Sequence, residues 1–260
     1  MRVLCIDIGN TSTHYGRVHT NDWRVDTAAK INTGDISAQL PNVLNAIECE
    51  GIAFCSVVPC ATEQLKHILA QHKIHSVHLN HTHCPGLSLN YPKPDEIGQD
   101  RLANAIAAQT FYGVPAIVID MGTAVTFDIV TAAGYEGGII APGLELMTRY
   151  LHEQTALLPA LDPHDWVFAG GIGKSTVEAM QVGCFVGFSG MIHALLQRVM
   201  QALCKEGAGV APKVIGTGGA AERLLKDAVP DITLEPNLIL LGLAETFRRS
   251  TGHPRRQCHP

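Results

Sequence analysis

Two short stretches, Asp7-Ile8-Gly9-Asn10-Thr11 and Asp120-Met121-Gly122-Thr123, offer the same chemistry twice. In each, the glycine lets the backbone come close to an anion, and the N–H groups and hydroxyl that follow can donate to phosphate oxygens. The aspartate would repel a phosphate, so its use is to hold a cation or that cation's waters, which then offset phosphate charge. A single Asp-x-Gly turn is also an ordinary way to end a strand. Two copies, with Thr217-Gly218-Gly219 as a third glycine turn near the nucleoside, describe a clamp for a nucleoside triphosphate. A fourth group, Gly98-Gln99-Asp100-Arg101, sets a carboxylate able to accept a proton beside a guanidinium able to bind an anion or stabilise transferring charge. The competing role for Asp100 is to cap the helix that follows it, with Leu102, Ala105, Ile106 and Gln109 at helical spacing.

The elements that must position these groups can be read around them. Val3–Asp7 and Ile117–Asp120 are apolar runs of strand length that end on the Asp-x-Gly turns, and each continues into a β-rich return, which predicts a hairpin. Asp7 and Asp120 are 113 residues apart, about one domain, so the chain divides into similar halves, 1–114 and 115–260, with a boundary near Gly113–Pro115. Between the copies, 37–50 and 63–72 read as helices and 51–58 as a strand, giving an alternating α/β pattern. In the second half Ser175-Thr176-Val177-Glu178 is a capping-box pattern opening a long apolar helix, with Gly183, Gly187 and Gly190 as a smooth strip. A strand begins at Lys213, an amphipathic helix covers about 238–249, and the tail from Gly252 reads as disordered.

Composition narrows the classes. With 46% hydrophobic residues the chain can bury a large core, and a net charge of -5 without a Lys/Arg run argues against a dedicated nucleic-acid or anionic-membrane surface. The N-terminus is too short and too acidic for a signal peptide, and no apolar run approaches the ~18–20 residues that span a bilayer. Eight cysteines without a CxxC pair read as reduced thiols, which places the protein in the cytoplasm. Gly173-Lys174-Ser175-Thr176 imitates the end of a phosphate-binding P-loop, but Phe168 stands where its first glycine is needed. Six histidines from His67 to His83, with Cys84, lack the paired spacing of a zinc frame.

The ordered set of motifs resembles that of the type III pantothenate kinases of the actin-like ATPase superfamily over nearly the whole chain. The set is Asp7–Thr11, Gly98–Arg101 with Asn104, Asp120–Thr126, Gly137–Gly143, Thr155–Pro159, Gly173–Thr176 and Thr217–Gly219. The resemblance implies an α/β fold of two ribonuclease-H-like domains with the active site in a cleft between them. It implies phosphorylation of pantothenate by ATP with Mg2+ and a monovalent cation, K+ or NH4+. Carried onto these positions, it makes Asp7, Ile8, Gly9, Asn10, Thr11, Ser12, Thr13 and His14 the first ATP loop, with Asp7 holding magnesium through water, and Thr123 a second phosphate contact. Asp120 matches the monovalent-cation ligand. Tyr91, Gly98, Gln99, Asp100 and Arg101 match the pantothenate site, with Asp100 as base, and Thr176 matches a contact contributed across a homodimer interface. The alternatives are another actin-like kinase or phosphatase, or a non-catalytic accessory transcription factor; Asp7, Asp100 and Asp120 are all present, as only a catalytic member requires.

Overall fold

Runs of branched apolar residues build two five-stranded sheets, and helices fill the connections between parallel strands. The computed structural model describes residues 1–72, 74–162, 171–205, 210–226, 229 and 231–254. In chain order the elements are β1 (Arg2–Ile8), β2 (Ser12–His19), β3 (Arg24–Asn32), α1 (Ile36–Ala46), β4 (Gly51–Ser56), α2 (Pro59–His72), β5 (Ser76–His78) and α3 (Gln99–Ala107). They continue as β6 (Ala116–Met121), β7 (Ala124–Thr131), β8 (Gly134–Pro142), α4 (Leu144–Glu153), α5 (Thr176–Lys205), β9 (Lys213–Thr217), α6 (Ala221–Leu225), β10 (Thr233–Leu234) and α7 (Leu238–Ser250).

The first sheet is ordered β3-β2-β1-β4-β5 and the second β10-β9-β6-β7-β8. Read from its other edge the second is β8-β7-β6-β9-β10, the same plan as the first. The repeat visible in two Asp-x-Gly turns therefore extends to strand order. In the first sheet β1 pairs antiparallel with β2, as the hairpin expectation requires, and parallel with β4. Val3–Ile6 and all of β4 are buried, the pattern of central strands covered on both faces. One face takes α1 and α2 through Leu4, Ile6, Ile52 and Phe54 against Leu40 and Leu65.

The other face takes α7, which differs from the expected amphipathic helix: every residue from Leu238 to Phe247 is buried. The reason is that α7 is covered by β1, β2 and β4 and also by α3. Its Glu245, 1% exposed, is held by Arg248 at 2.7 Å and Arg249 at 2.6 Å, so no unpaired charge is buried with it. The chain accordingly packs as two compact units, Met1–Ala116 with Asp128–Gly137 and Asn237–Pro260, and Ile117–Phe127 with Gly138–Pro236. These units differ from the halves 1–114 and 115–260 chiefly because α7, late in sequence, completes the core of the first sheet.

Helix α5 is long and apolar enough, by length and composition, to cross a membrane over Thr176–Cys204, with a mean hydropathy of 1.5 in its best window. Uncharged polar residues such as Gln181 and Ser189 interrupt it, so no unbroken apolar run in it reaches that length. Of the expected tail, 255–260 lie outside the described residues, as does Phe168.

Candidate active site

The first Asp-x-Gly turn is the tip of the β1–β2 hairpin. Asp7 stands opposite His14 and Ile8 opposite Thr13, leaving Gly9, Asn10 and Thr11 as the connection. The Gly9 N–H donates to the Ser12 carbonyl at 3.1 Å. Thr33 braces the turn from below: its Oγ1 donates to the Gly9 carbonyl at 2.7 Å and lies 3.1 Å from Thr13 Oγ1, and its N–H donates to the Thr11 carbonyl at 3.1 Å. Asn10 and Thr11 are left exposed on a fixed backbone. Cys55, beside Asp7 in the neighbouring parallel strand, donates its thiol to Asp7 Oδ1 at 3.4 Å, and burial holds that thiol well above its usual range. Burial, then the nearby Lys30, lowers the pKa of His14 to about 4, so at neutral pH its imidazole is uncharged.

The second turn repeats the first with one residue fewer. The Gly122 N–H donates to the Ala124 carbonyl at 3.2 Å, and Gly122 and Thr123 are exposed. The Gly143 N–H donates to the Thr123 carbonyl at 3.0 Å, and a side chain at Gly143 would run into the Thr123 and Gly122 carbonyls. Gly218 adopts a φ of 90°, and a Cβ there would lie 2.5 Å from Asp120 Oδ1 and 2.6 Å from the Met121 nitrogen. Thr217-Gly218-Gly219, expected near the nucleoside, therefore abuts the Asp120 turn, and only a residue without a side chain fits so close to it. A carboxylate oxygen such as that of Asp120 is the kind of donor a hard cation takes.

Tyr91 and Gly98–Arg101 are brought together within the first unit. Gly98, extended at φ -57° and ψ 134°, is the N-cap of α3 and Asp100 is the second helical residue, so the expected capping by Asp100 is not observed. The start of α3 is set instead by Gln99, whose Oε1 accepts from the Ser56 N–H at 2.8 Å and lies 2.9 Å from His78 Nε2. Asp100 Oδ1 accepts from the Arg101 N–H at 2.9 Å. Burial raises the Asp100 pKa, and the Arg101 backbone N–H and positive charge pull it only partly back, a direction that strengthens a general base.

Arg101 turns its Nε to a different carboxylate: it donates to Asp128 Oδ1 at 2.6 Å, and the Tyr135 hydroxyl donates to the same oxygen at 2.9 Å. Burial pushes the Asp128 carboxyl up to about 6, with Arg101 pulling against it, so at neutral pH the pair is a carboxylate and a guanidinium. The guanidinium carbon lies 5.8 Å from the centroid of the Tyr135 ring, which is 6.3 Å from the ring of Tyr91. Tyr91 packs over Gly137, whose φ of 104° and absent side chain admit the ring. The Tyr135 backbone exchanges hydrogen bonds with Ser88 and Asn90, both at 2.9 Å, which ties the Tyr91 loop to β8. Asp128, Tyr135 and Thr33 escaped the sequence reading. Only Asp128 left a signal, a charged residue in the apolar run of β7, where burial demands a partner.

Thr176 opens α5 and is exposed. Half of the expected capping box forms. Ser175 Oγ accepts from the Glu178 N–H at 3.2 Å, while Glu178 reaches back to the N–H of Lys174, not Ser175. Met180, Cys184, Phe188 and Ile192 form the buried stripe of the helix. Gly183, Gly187 and Gly190 meet nothing within 4 Å, and Val186 is 61% exposed. The histidine-rich segment has packing roles, His78 stacked on Phe54 at 4.4 Å and His83 2.8 Å from Ser250 Oγ.

The profile of the family described as type III pantothenate kinase matches residues 3–198. A type III pantothenate kinase of Akkermansia muciniphila is 39% identical over 251 residues, covering 94% of this chain and 99% of its own. One from Streptomyces avermitilis is 34% identical over 267 residues, covering 95% and 98%. Among solved structures, a putative Baf family transcriptional activator from Campylobacter jejuni aligns with a TM-score of 0.62 at 20% identity, covering 96% of this chain and 99% of that one. A ROK hexokinase from Thermus thermophilus aligns with a TM-score of 0.54 at 11% identity, covering 95% and 98%. These two likenesses speak for the fold alone.

Proposed function

The chain belongs to the type III pantothenate kinase family, which makes it an ATP-dependent pantothenate kinase of coenzyme A synthesis working with a divalent metal, and from that premise we propose how its residues share the reaction. The observation that carries the scheme is the pair of braced Asp-x-Gly hairpin turns, together with a carboxylate of raised pKa beside a buried-edge arginine. The segment Asp7–His14 binds the ATP phosphates with its backbone N–H groups and the Asn10 and Thr11 side chains, and Thr123 makes a second phosphate contact. Asp7 would hold Mg2+, through water, and such an ion would supply neutralising charge at the phosphate oxygens. Tyr91, Gly98, Gln99 and Arg101 orient pantothenate, and Asp100 takes the proton from its primary hydroxyl as that oxygen attacks the γ-phosphorus and the bond from phosphorus to the β,γ-bridging oxygen breaks, releasing ADP. Positioning and charge neutralisation account for most of the acceleration. The test is ADP release in a coupled assay: no stimulation by pantothenate would sink this reading.

Asp120 is the proposed ligand of K+ or NH4+, supported by its place at the second Asp-x-Gly turn, against which the Gly218 backbone packs. Asp120→Ala is expected to lower turnover and flatten the difference between potassium and sodium buffers, with the melting temperature little changed. A variant that kept both full activity and the potassium response would remove Asp120 from this role.

We also propose a cytoplasmic homodimer in which Thr176 contacts the pantothenate of the partner subunit, and in which 1–114 and 115–260 are two ribonuclease-H-like copies. The free state of all seven described cysteines supports a reducing compartment. One stripe of α5 is packed in its own unit and the opposite, glycine-lined face is open; a second copy suits that asymmetry better than lipid on all sides. Mixed dimers of Asp100→Asn and Thr176→Trp chains would carry both lesions in one site and neither in the other. Co-expression is expected to restore activity in half of the mixed dimers' sites. Activity no greater than the sum of the separate variants, with heterodimer demonstrated, would exclude the shared site.

A further inference from the structure

We propose that Asp128 and Tyr135 are positioning residues for Arg101, a buried latch that takes its Nε and so directs the outer edge of the guanidinium toward an anionic group of the reacting pair. The proposal rests on the reading above that Arg101 serves the reaction. Asp128 is 0% exposed and Arg101 9%, so the ion pair lies out of water. A guanidinium is planar with a rigid fork of donors, so fixing the Nε edge fixes the direction of the remaining nitrogens. Here the salt bridge is made by Nε, which leaves the Nη pair for other acceptors. The Tyr135 hydroxyl donates to the same Asp128 oxygen, which restrains that carboxylate against rotation, and its ring lies against the guanidinium. Tyr135 is itself pinned through both backbone groups to Ser88 and Asn90.

Stability alone is a poor reason for this arrangement. A buried ion pair loses in desolvation much of what it gains in attraction, and apolar replacements of equal volume are often as stable. Arg101 instead directly follows Asp100 and lies 5.8 Å from the Tyr135 ring, which is itself 6.3 Å from that of Tyr91, so a shift of the guanidinium would be felt by both proposed substrate contacts. The anion that Arg101 meets has two possible sources, the carboxylate of pantothenate or the phosphoryl group in transfer. Both present oxygens to the same fork.

The test is a double-mutant cycle read in kcat and KM, with pantothenate and with its carboxamide counterpart. Arg101→Ala is expected to lower kcat/KM for pantothenate about 10²-fold, as displacement of a positioning group commonly does. Asp128→Asn should lower the same parameter roughly tenfold or more, and the double variant should be no worse than Arg101→Ala alone, since both changes remove one function. If the carboxylate is the anion, both losses fall in KM and vanish with the carboxamide; if it is the transferring phosphoryl, both fall in kcat with either substrate. Should Asp128→Asn not fold, Tyr135→Phe carries the comparison. It keeps the ring, and loss of one hydrogen bond is expected to reduce the same parameter roughly fivefold. Additive losses, a loss in a different parameter from that of Arg101→Ala, or no loss in a folded variant would overturn the latch. Normal kcat/KM in Arg101→Ala would instead overturn the role of Arg101, and the latch with it.

Discussion

Asp100→Asn is expected to lose 10²-fold or more of turnover while binding ATP nearly as well as the wild type, a loss of the size that removal of a general base brings. The amide keeps the volume of the side chain, and its oxygen can still accept the 2.9 Å bond from the Arg101 N–H, so the start of α3 should hold. Gly98, and not Asp100, is the N-cap, so the substitution removes no cap and the melting temperature should move little. What disappears is a site for the hydroxyl proton. In the proposed role Asp100 works deprotonated, and burial raises its pKa from the ordinary value. The wild-type enzyme should therefore lose kcat/KM on acidification at a higher pH than an exposed aspartate would dictate, and the residual activity of Asp100→Asn should lack that limb. Turnover near normal, or an unchanged acid limb, would remove Asp100 from the chemistry.

Much of this site was legible because it is local. The Asp-x-Gly turns announce themselves through a glycine and a hydroxyl next to a strand, and the hairpin that presents Asn10 and Thr11 follows from the β-rich return after them. The doubling of the turn foretold the doubling of the strand order. Asp100 and Arg101 were legible as neighbours, but the ion pair that Arg101 makes with Asp128, across 27 positions, was not. Thr33, which holds the first turn from 24 positions away, is a threonine with no local mark of that duty. Helix α7 reads as amphipathic because its last turn is polar, but only tertiary packing shows that α3 covers the side away from the first sheet. The legible part is what backbone geometry demands of particular residue types; the rest is set by which distant element arrives at which face.

The second large effect is expected at a residue without a side chain. Gly218→Ala should cost both stability and turnover, and Gly113→Ala should cost stability alone. The two glycines have similar φ, 90° and 85°, so each alanine variant bears the strain of a conformation that L-residues rarely adopt, about 1–3 kcal/mol. Beyond that they differ. Around Gly113 nothing lies within 4 Å of the added methyl, so the expected outcome is a lower melting point, about 2–4 °C for each kcal/mol in a protein of this size, with kcat unchanged. At Gly218 the methyl would sit 2.5 Å from Asp120 Oδ1, 2.6 Å from the Met121 nitrogen and 2.7 Å from the Met121 carbonyl carbon. A carboxylate can turn aside, but the backbone of Met121 can yield only by moving the Asp120–Thr123 turn. A displacement of about 1 Å in a positioning element is enough for a loss of roughly 10²-fold. The loss in Gly218→Ala should also resemble that of Asp120→Ala in its flattened potassium response, since both act on the same carboxylate. Equal melting shifts in the two alanine variants, with turnover intact in both, would mean that Gly218 serves the turn in the chain and not the proposed cation site.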